Sequence, residues 1–236
     1  MEQITVKEIL EATGGRLLCG SADTPLDHLS IDSRTMKGND LFVPLVGEKV
    51  DAHRFIGQAF DNGAAATFTS EHDVMDDSRP WIRVADTKRA LQALGAWYRR
   101  RRNLPLVGIT GSVGKTTTRE MVAGFLVYKT PGNSNSQVGV PITVAEIPEN
   151  AEIGVIELGM SEPGELTIIA NIAQIQMAVI TNIGITHIEQ LGSQENIYRE
   201  KLSIQDGLTE HGILVLNGDD DLLKKTTARD GFETIY

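Results

Sequence analysis

The chain has 236 residues, enough for one large domain or two modest ones, each able to bury its own core. Its composition is 41% hydrophobic and 23% charged with no long apolar run, which excludes a helical membrane protein and a disordered chain. A net charge of −10 argues against a general nucleic-acid binder, and a single cysteine, Cys19, forms no internal disulfide and suits a reducing cytoplasm.

The start, Met1-Glu2-Gln3-Ile4, lacks the basic lead of a signal peptide. Thr5-Val6-Lys7-Glu8 reads as a capping box, so a short helix is expected from there to Gly14-Gly15. Short strands are expected over Leu29 to Ser33 and Leu41 to Val46, joined by the turn at Lys37-Gly38-Asn39-Asp40. Phe55, Ile56, Ala59 and Phe60 share a helical face that ends at Asn62-Gly63, and Ala64 to Thr69 and Trp81 to Val84 read as two more strands. Residues 1–85 thus read as a small α/β domain. Asp86-Thr87 caps a helix bearing Leu91, Leu94, Trp97 and Tyr98, whose basic run Arg99 to Arg102 reads as a solvated helix end.

From Leu106 the pattern alternates strand and helix. Apolar runs at Leu106 to Ile109, Ile153 to Leu158, Ala178 to Ile183 and Ile213 to Leu216 flank helical stretches at Thr116 to Tyr128, Gly164 to Ile172 and Ser193 to Leu208. Residues 86–236 therefore read as a doubly wound, mostly parallel sheet, whose ligands bind beyond the carboxyl ends of the strands. Polar residues stand at three of those ends: Glu157, Thr181-Asn182 and Asn217-Gly218-Asp219-Asp220.

The first of these strands runs into Thr110-Gly111-Ser112-Val113-Gly114-Lys115-Thr116-Thr117. A glycine-rich loop ending in Lys-Thr-Thr at a helix start offers backbone N–H groups, a helix N-terminus and a lysine to a polyphosphate. The usual spacing would need glycine where Ile109 stands, so this is a shortened variant of the P-loop. Lys115 would then lie along the phosphates and Thr116 would offer its hydroxyl to Mg²⁺. Glu157 is either an acidic metal ligand or a solvated strand-end carboxylate. Lys201 falls on the apolar stripe of Ile197, Ile204 and Leu208, either as a snorkelling side chain or as a desolvated, nucleophilic amine. His187, in a loop, is a candidate phosphate contact or acid/base group.

Together these motifs resemble the Mur ligases, a family of ATP-dependent amide-forming enzymes of peptidoglycan precursor synthesis. The resemblance rests on Thr110 to Thr117, Glu157-Leu158-Gly159-Met160, Thr181-Asn182-Ile183-Gly184 with His187, Gly192-Ser193 and Lys201, in that order. Gly132 to Pro141, Glu157 to Glu165 and Asp40 to Glu48 are similar to the members that add D-alanyl-D-alanine. The resemblance implies a UDP-sugar-binding first domain and a P-loop ATPase domain. It implies ATP as cofactor, UDP-N-acetylmuramoyl-tripeptide and D-alanyl-D-alanine as substrates, an acyl-phosphate intermediate and a cytoplasmic monomer. Thr116 and Glu157 would hold one Mg²⁺, and His187 with a carbamylated Lys201 a second. Asn133 and Asn135 would line the nucleotide site. Ser30, Ser33, Arg34 and Gly47 match the region that receives the UDP-sugar, although Ser30 to Arg34 also reads as a turn closed by Asp32 and Ser33. Family members are roughly twice as long, so the chain is expected to be an incomplete ligase, inactive or weakly active alone. Another Mur or folylpolyglutamate-type ligase and a non-catalytic nucleotide-binding fragment are the alternatives.

Overall fold

The computed structural model describes residues 1–122 and 127–236. The chain divides into two compact units, Met1–Trp97 and Tyr98–Tyr236.

The first unit begins with β1 (Ile4–Thr5) and α1 (Val6–Thr13). The capping box is present: the Thr5 hydroxyl accepts from the Glu8 amide, while a Glu8 carboxylate oxygen accepts from the Thr5 amide at 2.9 Å. Gly14, left-handed at φ 66°, stops the helix. There follow β2 (Arg16–Cys19), β3 (Pro25–Leu26), β4 (His28–Ser30) and β5 (Asp40–Phe42). A 3₁₀ turn then leads into α2 (Ile56–Asp61), β6 (Ala64–Thr69) and β7 (Trp81–Arg83); α3 (Thr87–Arg101) starts in this unit, and its last turn, from Tyr98, belongs to the second. The sheet order is β2-β7-β6-β5-β4, parallel except for β2, and Phe42, Ile56, Ala59, Phe60 and Trp81 pack together in its core. Strands β4 and β5 are shorter than expected. Beyond Ser30 the chain turns, with the Ser30 hydroxyl donating to the Asp32 carbonyl, and β5 stops two residues before Pro44, which has no amide to donate.

The second unit contains β8 (Leu106–Thr110), α4 (Lys115–Val122), β9 (Val127–Lys129), α5 (Gly139–Ala145) and β10 (Ile153–Glu157). It continues through α6 (Glu165–Ala173), β11 (Ile175–Ile180), α7 (Ile188–Leu191), α8 (Gln194–Leu202), β12 (Leu208–Leu216) and β13 (Glu233–Ile235). Its six strands, in the order β13-β12-β11-β8-β10-β9, are all parallel. After β8 the chain builds β10 and β9 on one side, then crosses to build β11, β12 and β13 on the other. The topological switch point, where α/β sheets bind ligands, therefore lies at the carboxyl end of β8. Register brings the strand ends level there: Glu157 pairs with Ile109, Ile180 with Thr110, and Leu216 with Ile180.

Several expected boundaries move. The helix expected to reach Tyr128 is described to Val122; residues 123–126 lie outside the described residues, and Val127–Lys129 pairs with β10 as a strand. The strand expected over 178–183 runs Ile175–Ile180, leaving Thr181 to Ile183 in the following loop. The helix expected to end at Leu208 ends at Leu202, a 3₁₀ turn follows, and Leu208 opens β12. Among the described residues no helix is long and apolar enough to cross a membrane.

Arg99 corrects the expectation of a solvated basic helix end. It is 5% exposed, and its guanidinium donates to the carbonyls of Ala173 (2.6 Å), Gln174 (2.8 Å) and Arg102 (2.7 Å). A fixed cation thus caps the C-terminus of α6, where the helix dipole is negative and the last carbonyls lack partners. Burial lowers its pKa. Replacing Arg99 by leucine is expected to cost about 3 kcal/mol in urea unfolding, since it strands buried carbonyls. Arg100→Ala, at an exposed position of the same run, should stay within about 0.5 kcal/mol of the parent.

Candidate functional site

Gly111 to Gly114 form the loop between β8 and α4, with φ 152° at Gly111 and 85° at Gly114. A Cβ at position 111 would lie 1.8 Å from the Thr181 hydroxyl oxygen, so only glycine lets the loop pass this close to the end of β11. The loop is bracketed by the segment beyond β11. The Asn182 side-chain oxygen accepts from the Val113 amide (3.0 Å), the Thr181 hydroxyl donates to the Val113 carbonyl (2.6 Å), and the Ser112 hydroxyl accepts from the Gly184 amide (2.8 Å).

A cavity of about 290 Å³ opens at this point. Of the residues expected at a nucleotide site, Thr110, Gly111, Ser112, Lys115, Asn133, Asn135, His187 and Lys201 line it. Val113, Gly114, Thr116 and Thr117 do not; they are exposed on the outer loop and first turn of α4. The lining also contains Ser136, Gly159, Met160, Ser161 and Glu165, which sequence reasoning did not assign to the site. Glu165 accepts from the amides of Ser161 (2.7 Å) and Glu162 (3.1 Å) and from the Gln137 side chain (2.8 Å), tying two walls of the cavity together. Gly159 lets Asn135 approach: its amide donates to the Asn135 carbonyl at 2.8 Å, and a Cβ there would stand 2.9 Å from the Asn135 side chain.

Two lysines face this cavity. Lys115 donates from Nζ to the Gly111 carbonyl (2.8 Å); burial lowers its pKa, partly offset by the Glu157 charge. Lys201 is 3% exposed, so it does not snorkel to solvent. Burial, reinforced by the Lys115 charge, brings its pKa down to about 8. His187 is half-buried and holds a left-handed backbone (φ 66°) immediately before α7, a strained conformation for a non-glycine residue.

Glu157 is fully buried rather than solvated. Arg119 Nη1 stands 3.0 Å from its Oε1, yet that nitrogen directs its hydrogens to the carbonyls of Thr130 (2.7 Å) and Gly132 (3.2 Å). Among the described residues neither Glu157 oxygen receives a hydrogen bond, and the Thr110 hydroxyl is also buried without a partner. An enclosed carboxylate with its lone pairs unused fits a hard divalent cation. Arg119 itself, 7% exposed on α4, was not singled out from sequence; only the burial of Glu157 two strands away explains it.

In the first unit, Ser30 ends β4 and is buried, Ser33 is buried in the turn that follows, and Arg34 and Gly47 are exposed. Asp32 accepts from the Arg34 amide (3.0 Å), Nε (2.8 Å) and Nη2 (2.7 Å), which holds the exposed guanidinium and draws the Asp32 carboxyl down to about 2. The Ser33 hydroxyl donates to the Gln58 side chain (2.9 Å) and the Gly47 amide to the Val50 carbonyl (3.0 Å). One further set of metal-type donors, Asp51, His53 and Glu71, lies in this unit. Both His53 ring nitrogens are already engaged, Nδ1 by Asp51 (2.6 Å) and Nε2 by the Ser70 amide (2.9 Å).

Comparison with known proteins gives a consistent picture. Residues 109–236 match the profile of the Mur ligase middle domain, and residues 25–99 that of the Mur ligase family catalytic domain. The UDP-N-acetylmuramoyl-tripeptide--D-alanyl-D-alanine ligase of Bacillus subtilis is 41% identical over 228 residues, covering 93% of this chain and 50% of the relative. The crystal structure of MurF from Acinetobacter baumannii superposes with a TM-score of 0.91 at 31% identity, over 99% of this chain and 53% of that one. MurF from Thermotoga maritima, solved in complex with ADP, gives 0.79 at 32% identity, over 88% and 49%. The chain spans about half the length of these relatives. With a middle-domain match over more than half its residues, laid on a parallel sheet whose switch point carries the glycine loop, the chain belongs to the Mur ligase family.

Proposed function

We propose that this chain supplies the nucleotide- and UDP-sugar-binding parts of a cytoplasmic, monomeric ligase that joins D-alanyl-D-alanine to UDP-N-acetylmuramoyl-tripeptide. Such a reaction moves the γ-phosphoryl group of ATP to the peptide's terminal carboxylate, and the incoming amine then displaces phosphate. The observation that carries the reading is the gathering of Lys115, His187, Lys201, Asn133 and Asn135 around one cavity at the switch point, beside the enclosed carboxylate of Glu157. The Leu41 to Glu48 segment favours a UDP-sugar over a folate substrate.

Residues 1–85 are assigned to the UDP-muramoyl peptide and 86–236 to ATP. The start of α4 presents unpaired amides to the phosphates, and Lys115 exchanges the Gly111 carbonyl for a phosphate oxygen. Asn133 and Asn135 border the path of the transferring group. Thr116 and Glu157 would hold one Mg²⁺; His187 and a carbamylated Lys201 would hold a second. The ions would neutralise charge on the transferring phosphoryl group. Carbamylation suits Lys201 because burial leaves its amine partly neutral near neutral pH, and the modified group is an oxygen donor rather than a buried cation. In the first unit Arg34, steadied by Asp32, offers a planar fork to the UDP phosphates, with Ser30, Ser33 and Gly47 alongside.

ADP formation coupled to amide formation, measured on a full-length protein with muramoyl tripeptide and D-alanyl-D-alanine, tests this reading. Ligation of glutamate to tetrahydrofolate instead would overturn it. In that assay Lys115→Ala is expected to lower kcat/KM at least ~100-fold through loss of charge stabilisation. For Lys201, ¹³C-bicarbonate should give a carbamate signal that Lys201→Ala lacks. The neutral amine is the reactive form, so the signal should grow as pH rises from 6.5 to 8.5, through the lysine's pKa of about 8. A signal independent of position 201 would refute the carbamate.

A further inference from the structure

The polar turn after β12, Asn217-Gly218-Asp219-Asp220, stands at a strand end beside the site, yet none of its residues lines the cavity. The Asp220 carboxylate is half-buried and fully used. Its Oδ2 accepts from the Ile183 amide (2.8 Å), and its Oδ1 accepts from the amides of Leu222 (3.0 Å) and Leu223 (3.1 Å). Asn217 adds a bond from its side-chain nitrogen to the Thr181 carbonyl (3.0 Å). The segment from Thr181 to Gly184 is thus gripped from the β12 side by Asp220 and Asn217. On its other side the same segment grips the glycine loop. Besides the contacts of Asn182, Thr181 and Gly184 already described, the Ser112 amide donates to the Asn182 carbonyl (3.3 Å).

We propose that Asp220 is a positioning residue for the glycine loop. It acts through the Ile183 amide to hold the Thr181 to Gly184 segment that in turn sets the conformation of Ser112 and Val113. The inference rests on the nucleotide reading of the cavity. Asp220 touches neither the loop nor the cavity, and its effect travels through one intervening strand of backbone. The consequence for the loop is specific. The Ser112 and Val113 amides are consumed by Asn182, which leaves the first turn of α4 to supply the free N–H donors of the proposed phosphate site. Freed from Asp220, the segment would let those two amides wander into the phosphate's place and would also release His187, three residues beyond Gly184. The carboxylate is needed because both its oxygens meet N–H donors. An asparagine in its place would turn an NH₂ group toward one of them, losing that bond and adding a donor–donor clash.

Two readouts on the whole chain test this, using Asp220→Asn and Asp220→Ala. Hydrogen exchange without ligand should quicken about tenfold in peptides covering 106–118 in either variant, while exchange in α6 stays at the wild-type rate. Calorimetry with ADP and Mg²⁺ should show Kd raised about 5- to 20-fold, more for alanine than for asparagine. Unchanged exchange in 106–118 would overturn the proposal. So would a uniform rise that includes α6, which would mean general loosening, and so would faster loop exchange with unchanged ADP affinity. A wild-type chain that takes up no ADP would overturn the nucleotide reading, while exchange would still decide the clamp. If Asp220→Ala fails to fold, Asn217→Ala, which removes the grip on Thr181 and the Asp219 amide's bond to the Asn217 side chain but leaves the Asp220 contacts, should give a smaller rise in exchange confined to the same peptides; no rise there would count against the clamp.

Discussion

The burial of one carboxylate organises the second unit. Glu157 ends β10 with its charge out of water, and an isolated buried charge costs several kcal/mol. The fold answers with positive charge from two directions. Arg119 rises from α4 to within 3.0 Å, and the Lys115 ammonium is stabilised by the same carboxylate. Arg119 is itself fixed by the carbonyls of Thr130 and Gly132, so compensating Glu157 also locks the turn that leads to Asn133 and Asn135. The Thr130 hydroxyl accepts from the Glu157 amide (2.9 Å), which closes the circuit. One charge thereby couples the start of a helix, the end of a strand and the wall of the cavity.

The neutralisation is incomplete by design of the geometry: Arg119 gives Glu157 its charge but not its hydrogens. Lys115 and Lys201, meanwhile, share one low-dielectric space, where burial first and the Lys115 charge second depress the pKa of Lys201. Two cations in one low-dielectric space are better balanced beside an anion than alone, which agrees with the nucleotide proposed for this cavity.

Much of this was legible in the chain. Local signals were read correctly because they act over a few residues: the capping box at Thr5 and Glu8, the cap at Asp86, the glycine loop, and the misplaced lysine at 201. The resemblance supplied roles for His187 and Lys201 that spacing alone left open. What stayed hidden depends on distant partners. Val127–Lys129 is too short to announce itself and becomes a strand only by pairing with β10. Arg99 and Arg119 look like surface cations until the carbonyls and the carboxylate they serve, tens of residues away, are known. Glu165 and Ser136 lie in segments quoted for the family likeness, yet nothing in their spacing said that they wall the cavity.

The left-handed backbone of His187 has a consequence for how this site can be dissected. Histidine accepts this conformation more readily than most side chains, while asparagine and glycine accept it more readily still. Replacing the imidazole with an amide thus removes the ring and relaxes the chain at once. Position 187 is one where the proposed chemistry and backbone comfort pull in opposite directions. A His187→Asn protein that folds more firmly yet works less well would expose a histidine kept for its ring against the preference of the backbone that carries it.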